Sequence, residues 1–140
     1  MNRKCTILAI LLLLPGFHVF AQSGAFGTIK GNALDFYYTG RDLESQGKTQ
    51  EAETWYSQAM RICTEEIAQN NANRDTYTAL VWTCLRQQKY NDAITWGERG
   101  MRFYNDEYRI LEAMGEASFY LDDYENSLKY MQRYVNSLPR

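Results

Sequence analysis

Two cysteines and three close carboxylate pairs are the side chains in the body of this sequence whose types could carry chemistry: Cys63 and Cys84, Glu65 with Glu66, Glu112 with Glu116, and Asp122 with Asp123. A carboxylate pair can exchange protons with a substrate or hold a hard cation, but either use needs a facing geometry or an oxygen-rich ligand loop. None of the three pairs sits at such a spacing, and solvated helix faces and turns account for them. The cysteines form no Cys-x-x-Cys redox motif. The single histidine, His18, lies in the N-terminal leader described below. An exported chain would therefore have no imidazole for a nucleophilic triad or an ordinary zinc site. The glycine-rich stretch SGAFGTIKGN, residues 23–32, could suggest a phosphate loop, but Lys30 is followed by Gly31 and no strand precedes it. These readings point away from an enzyme, and no cofactor and no metal are expected.

The ends and the charge balance narrow the class further. Asn2-Arg3-Lys4 is a basic patch, Ile7 to Leu14 is apolar, Pro15-Gly16 breaks the run, and Val19-Phe20-Ala21 ends on a small residue. That order is a secretory signal peptide over residues 1–21, too short to span a bilayer well, with the mature chain starting near Gln22. Cys5 precedes the apolar run, so the usual lipoprotein attachment arrangement is missing. The expectation is an exported protein, periplasmic or extracellular, with no membrane span in the mature chain. Without Arg3 and Lys4, 13 basic residues face 17 acidic ones, which disfavours nucleic acid as a partner. Residues 22–32 read as a flexible N-terminal arm.

From Ala33 onward, turn signals recur at Gln46-Gly47-Lys48, Gln88-Lys89-Tyr90-Asn91 and Asp122-Asp123, each between two stretches with apolar residues at helical spacing. No segment shows the alternation of a half-buried strand, so the fold is expected to be all-α. The segments 33–66, 74–107 and 108–140 superimpose as three helix-turn-helix units of 34, 34 and 33 residues. Between the first two, Ile67 to Asn73 is an insertion whose start continues the preceding helix by about two turns, until Asn70-Asn71-Ala72-Asn73 ends it.

The repeat carries a pattern of large and small residues. The first unit supplies Phe36, Gly40, Leu43, Gly47, Ala52, Tyr56 and Ala59; the second Tyr77, Leu80, Tyr90, Ala93 and Gly100; the third Leu111, Met114, Gly115, Tyr124, Ser127 and Pro139. On these residues the chain resembles the tetratricopeptide repeat family, with departures at Thr39, Val81, Asp122 and Tyr134. The resemblance implies an α-α superhelix over residues 33–140, with Gly40, Ala52 and Ala59 at close helix contacts. It implies core positions for Phe36, Tyr56, Tyr77, Tyr90 and Tyr124. Val81 should push the second helix pair apart, with Gly97 and Gly100 opening room for it.

The resemblance also implies a concave face built from the first helix of each unit. Its inward positions hold Tyr37, Tyr38, Arg41, Trp82, Arg86, Arg109, Glu112, Glu116, Phe119 and Tyr120, the residue types that binding hot spots favour. The function implied is a scaffold that binds a protein or peptide segment in this groove. Family members that bind chaperone tails use a basic and amide clamp for a terminal carboxylate; its positions here are Tyr37, Arg41, Ala79, Arg109 and Ala113, and only Arg109 keeps the charge in place. If the long second helix packs antiparallel on the third, Cys63 and Cys84 fall within about one turn of each other. That leaves two readings, a disulfide or two small packing residues. The last unit exposes Leu128, Met131, Val135 and Leu138 with no polar capping helix in the sequence, which suggests a homo-oligomer or a structural subunit assembling through this surface.

Overall fold

The computed structural model describes residues 31–139; the expected signal peptide, the expected arm up to Lys30, Cys5, His18 and Arg140 lie outside the described residues. Among the described residues there are six α-helices and no strand: α1 Ala33–Ser45, α2 Thr49–Ala68, α3 Arg74–Arg86, α4 Tyr90–Met101, α5 Tyr108–Tyr120 and α6 Tyr124–Ser137. No helix among them is long and apolar enough to cross a membrane.

The helix starts follow from local chemistry. Asn32 and Asn73 cap α1 and α3, and each forms a reciprocal box with the third helical residue, Asp35 or Thr76, satisfying backbone donors that the helix leaves unpaired. The Asp123 carboxylate accepts from the Asn126 amide at the start of α6. Within each unit the turn reverses through one residue with positive φ, and these residues are Gly47, Gln88 and Asp122. Asn70 and Asp106 do the same between units. α2 has 20 residues against 12 in α4 and is about two turns longer, but of the insertion only Ile67 and Ala68 are helical; the rest of the extra length lies inside the first unit, where residues 61–66 are helical and their counterparts 102–107 are not.

Consecutive helices pack in antiparallel pairs, and α3 also packs on α1 and on α5, whereas α2, α4 and α6 do not pack on one another. An inner layer of first helices and a splayed outer layer of second helices is the geometry of a curved solenoid. Gly40 is a close contact of α1 on α2, since a Cβ there would lie 2.6 Å from the Tyr56 ring and 3.2 Å from the Ala52 carbonyl oxygen. Ala52 and Ala59 are buried at the same seam.

Two expectations about packing are corrected. Gly97 does not open the second pair for Val81; its missing Cβ leaves the space taken by Met114 of α5, whose Cγ and Sδ would lie 2.5 Å away. Gly100 likewise faces Tyr77 and Ile110, so these two glycines serve the joint between units as well as the pair. Tyr124, expected in the core, is 58% exposed, because among the described residues no helix lies over α6. Phe36, Tyr56 and Tyr77 are buried as expected, and Tyr90 is half-buried, stacked on Tyr120 at 4.9 Å between ring centroids.

Candidate partner-binding groove

The inner layer carries a concave cavity of about 230 Å³. Its walls come from all three first helices: Leu34, Tyr37, Tyr38 and Arg41 from α1, Thr78, Trp82 and Arg86 from α3, and Arg109 and Glu112 from α5. Seven of the ten positions expected in the groove meet here. Leu34 and Thr78 were not among them, although each sits one helical turn before an expected residue, Tyr37 or Tyr38 and Trp82.

The residues differ in what they offer. Tyr37, expected as an open groove residue, is only 3% exposed; its ring lies against those of Tyr38, Tyr56 and Trp82, so it forms the floor. Burial pushes its hydroxyl up from the ordinary tyrosine range, partly opposed by the Arg86 guanidinium beside it. Trp82 is half-buried, with part of its indole open to the cavity. Arg41 and Arg86 are exposed at the rim, and the Arg41 guanidinium lies 4.9 Å from the centre of the Tyr38 ring. Burial, reinforced by the neighbouring Glu116 carboxylate, raises Glu112 above the usual carboxylate range.

Arg109 is already engaged. Its Nε donates to Glu107 at 2.8 Å and its Nη2 to Asp75 at 3.1 Å, while Arg74 reaches the other oxygen of the buried Glu107 at 3.3 Å. This alternating set ties the starts of α3 and α5 together and balances the Arg109 charge. The other guanidiniums at the cavity are those of Arg41, which has the Asp42 carboxylate at 3.8 Å, and Arg86, which lies beside the Tyr37 hydroxyl.

A family model for the tetratricopeptide repeat matches residues 37–106, half of the chain. The chain belongs to the tetratricopeptide repeat family. Among solved structures it is similar to the second tetratricopeptide repeat domain of Spaghetti (RPAP3), bound to the HSP90 peptide SRMEEVD, with 18% identity and a TM-score of 0.53 over 76% of this chain and 87% of that chain. At that identity the likeness is one of fold. No curated protein matches the chain.

The other expected residues fall elsewhere on this tetratricopeptide repeat array. Glu116, Phe119 and Tyr120 do not line the cavity, because they lie on the later turns of α5. Phe119 and Tyr120 are 57% and 58% exposed and form an aromatic cluster with Tyr90 and Tyr124 at the turn edge of the array. Along α6, Leu128, Met131 and Val135 line a shallow groove with Gln132 and Asn136. Leu138 follows at 38% exposure.

Cys63 and Cys84 are buried free thiols, which is the packing alternative of the two readings. The Cys63 Sγ donates to the Thr76 carbonyl oxygen at 3.3 Å. Burial raises both thiols, Cys84 to about 12, and a thiol kept protonated and covered is a poor nucleophile. Among the described residues no cluster of three or more His, Cys, Asp or Glu side chains has the arrangement of a metal site.

Proposed function

We propose that this protein is an exported, non-catalytic interaction module that holds an extended segment of a protein partner in the cavity shared by α1, α3 and α5. The observation that carries the reading is the lining itself: a partly open Trp82 at the centre, Tyr37 and Tyr38 beside it, and two exposed guanidiniums at the rim. Apolar area with a few oriented polar groups suits a peptide that places an aromatic or aliphatic side chain against Trp82 and acidic groups near Arg41 and Arg86. Membership of a family of helical scaffolds supports a protein ligand, and the Spaghetti domain of similar fold is bound to a peptide.

The ligand is not the terminal carboxylate that the chaperone-tail clamp takes. Of the clamp positions, Ala79 and Ala113 are fully buried and offer no donor, Tyr37 is the floor, and Arg109 is held by Glu107 and Asp75. An internal acidic segment fits this lining better.

Panning a random-peptide display library on the immobilised protein tests the reading. Enriched peptides should carry acidic residues around one large apolar residue, and both Trp82→Ala and Arg86→Ala should weaken their binding. Enrichment of no peptide, or of peptides indifferent to both changes, would overturn it. Export rests on the composition of residues 1–21, and N-terminal sequencing of protein recovered from its host's secreted or envelope fraction should begin near Gln22; an intact Met1 there counts against it.

A further inference from the structure

The first helices set out their charges in order across the cavity. Arg41, Trp82 and Glu116 hold the same place in the repeat, the ninth residue of units 33–66, 74–107 and 108–140, and Tyr37, Thr78 and Glu112 hold the fifth. α1 and α5 each pack on α3 and not on one another, so they flank it on opposite sides. Following the ninth position across the inner layer gives a guanidinium on α1, a half-buried indole on α3 and a carboxylate on α5. One turn earlier on α5, a second carboxylate, Glu112, stands in the cavity wall itself.

The two flanks differ in how their charges are matched. On α1, Arg41 has the Asp42 carboxylate at 3.8 Å. On α5, Glu112 and Glu116 are half-buried, and among the described residues neither forms an ion pair. The guanidinium next to them along α5, that of Arg109, is held by Glu107 and Asp75. Like charges four residues apart on a helix repel, and partial burial leaves less water to screen them, so a cation brought from outside gains from both carboxylates at once. A hard metal ion does not fit, because among the described residues no group of three or more His, Cys, Asp or Glu has the arrangement of a metal site.

Resting on the reading that this cavity holds a peptide, we infer that the bound segment carries a lysine or arginine that sets against Glu112 and Glu116, across its apolar residue from the acidic residue at Arg41. The ligand is then of mixed charge, in the order acidic, apolar, basic along its length. Packed helix axes lie about 8–10 Å apart, and two residues of an extended segment span about 6.6–6.8 Å with both side chains on one face. The acidic and basic residues therefore stand two places either side of the apolar one, and the long side chains of Arg41 and Glu116 close the remaining gap.

Fluorescence anisotropy of the purified protein with two labelled probes tests this: acetyl-Gly-Glu-Ser-Phe-Ser-Lys-Gly-amide, and the same peptide with glutamate in place of lysine. The mixed-charge probe should bind about five- to tenfold more tightly. Glu112→Gln together with Glu116→Gln keeps the shape of both side chains and removes their charge, and should bring the two probes level. Glu116→Lys, with circular dichroism as the check on folding, should reverse the preference, a switch that a merely structural role for the glutamates does not give. Trp82→Ala should weaken both probes and leave their ratio unchanged. An acidic probe that binds the wild type as tightly as the mixed one, or a preference that survives the double change, would overturn this inference and leave the groove reading standing. Binding of neither probe at protein concentrations up to about 1 mM overturns the groove reading and this inference together.

Discussion

Replacing Gly97 by alanine tests how the second and third units are joined. In isolation the change favours the helix, by about 1 kcal/mol, because alanine orders the backbone at lower entropic cost than glycine. The structure opposes this. The added Cβ would stand 2.5 Å from both Cγ and Sδ of Met114 and 3.4 Å from a methyl of Ile110, while ordinary carbon contacts need about 3.5–4.0 Å. Met114 is only 1% exposed, so the side chain has no solvent to swing into and must displace neighbours by about 1 Å. Overpacking of this kind costs about 1–3 kcal/mol, so after the propensity gain the net loss should be about 1 kcal/mol.

Urea titration followed by circular dichroism measures this, and a double-mutant cycle gives it structural meaning. Met114→Ala alone leaves a cavity and should destabilise by about 2–5 kcal/mol, but together with Gly97→Ala the loss should be smaller than the sum, since the new methyl enters the vacated space. Val81→Ala should show no such coupling to Gly97→Ala. If Gly97→Ala stabilises by the full propensity term, or couples to Val81 and not to Met114, then the glycine serves the α3 and α4 pair and the description of the joint is wrong.

Other expectations follow from single residues. Gln88 holds φ at 58° in the turn between α3 and α4, so Gln88→Gly should stabilise by about 0.5–1 kcal/mol in the same titration, while Asp122→Gly should gain less because it loses the bond from the Tyr124 hydroxyl. Because burial and Glu116 raise the Glu112 carboxyl in the folded state, its contribution to stability is present at low pH and lost as pH rises through that raised value. Glu112→Gln should therefore melt above the wild type at pH 7, with the advantage vanishing below pH about 4, under the ordinary carboxylate range; an advantage that grows on acidification would reverse the assigned sign. Cys63 and Cys84 should resist a thiol reagent in the native protein and react together on unfolding, and rapid labelling without denaturant would contradict their burial.

The helix pairs were legible in the sequence because their punctuation is chemical. Asn32 and Asn73 precede helices they cap, and the turns of all three units stand at one repeat position. What sequence reasoning missed depends on angle and on neighbours. Tyr37 and Tyr38 are adjacent and identical in type, yet about 100° of helical rotation makes one the cavity floor and leaves the other 38% exposed. The spacing of Gly97 and Gly100 marks a flat helical face, but which helix occupies that face depends on the layer order: α5 takes it at Gly97 and shares it with Tyr77 of α3 at Gly100. Phe119 and Tyr120 carry the right residue types for a groove but sit beyond the turns of α5 that border the cavity.

The layer arrangement also bears on how the chain comes to be folded. Each helix touches only its chain neighbours or, in the inner layer, the next first helix, so every stabilising contact closes a short loop. Chains of such low contact order fold quickly, on microsecond to millisecond scales, and can start from any one hairpin. Among the described residues the α3 and α4 hairpin is supported from both sides, whereas the one helix that α6 packs on is α5. Amide protons should therefore exchange slowest in α3 and fastest at the α6 end, so the array loosens one hairpin at a time and not as a single block.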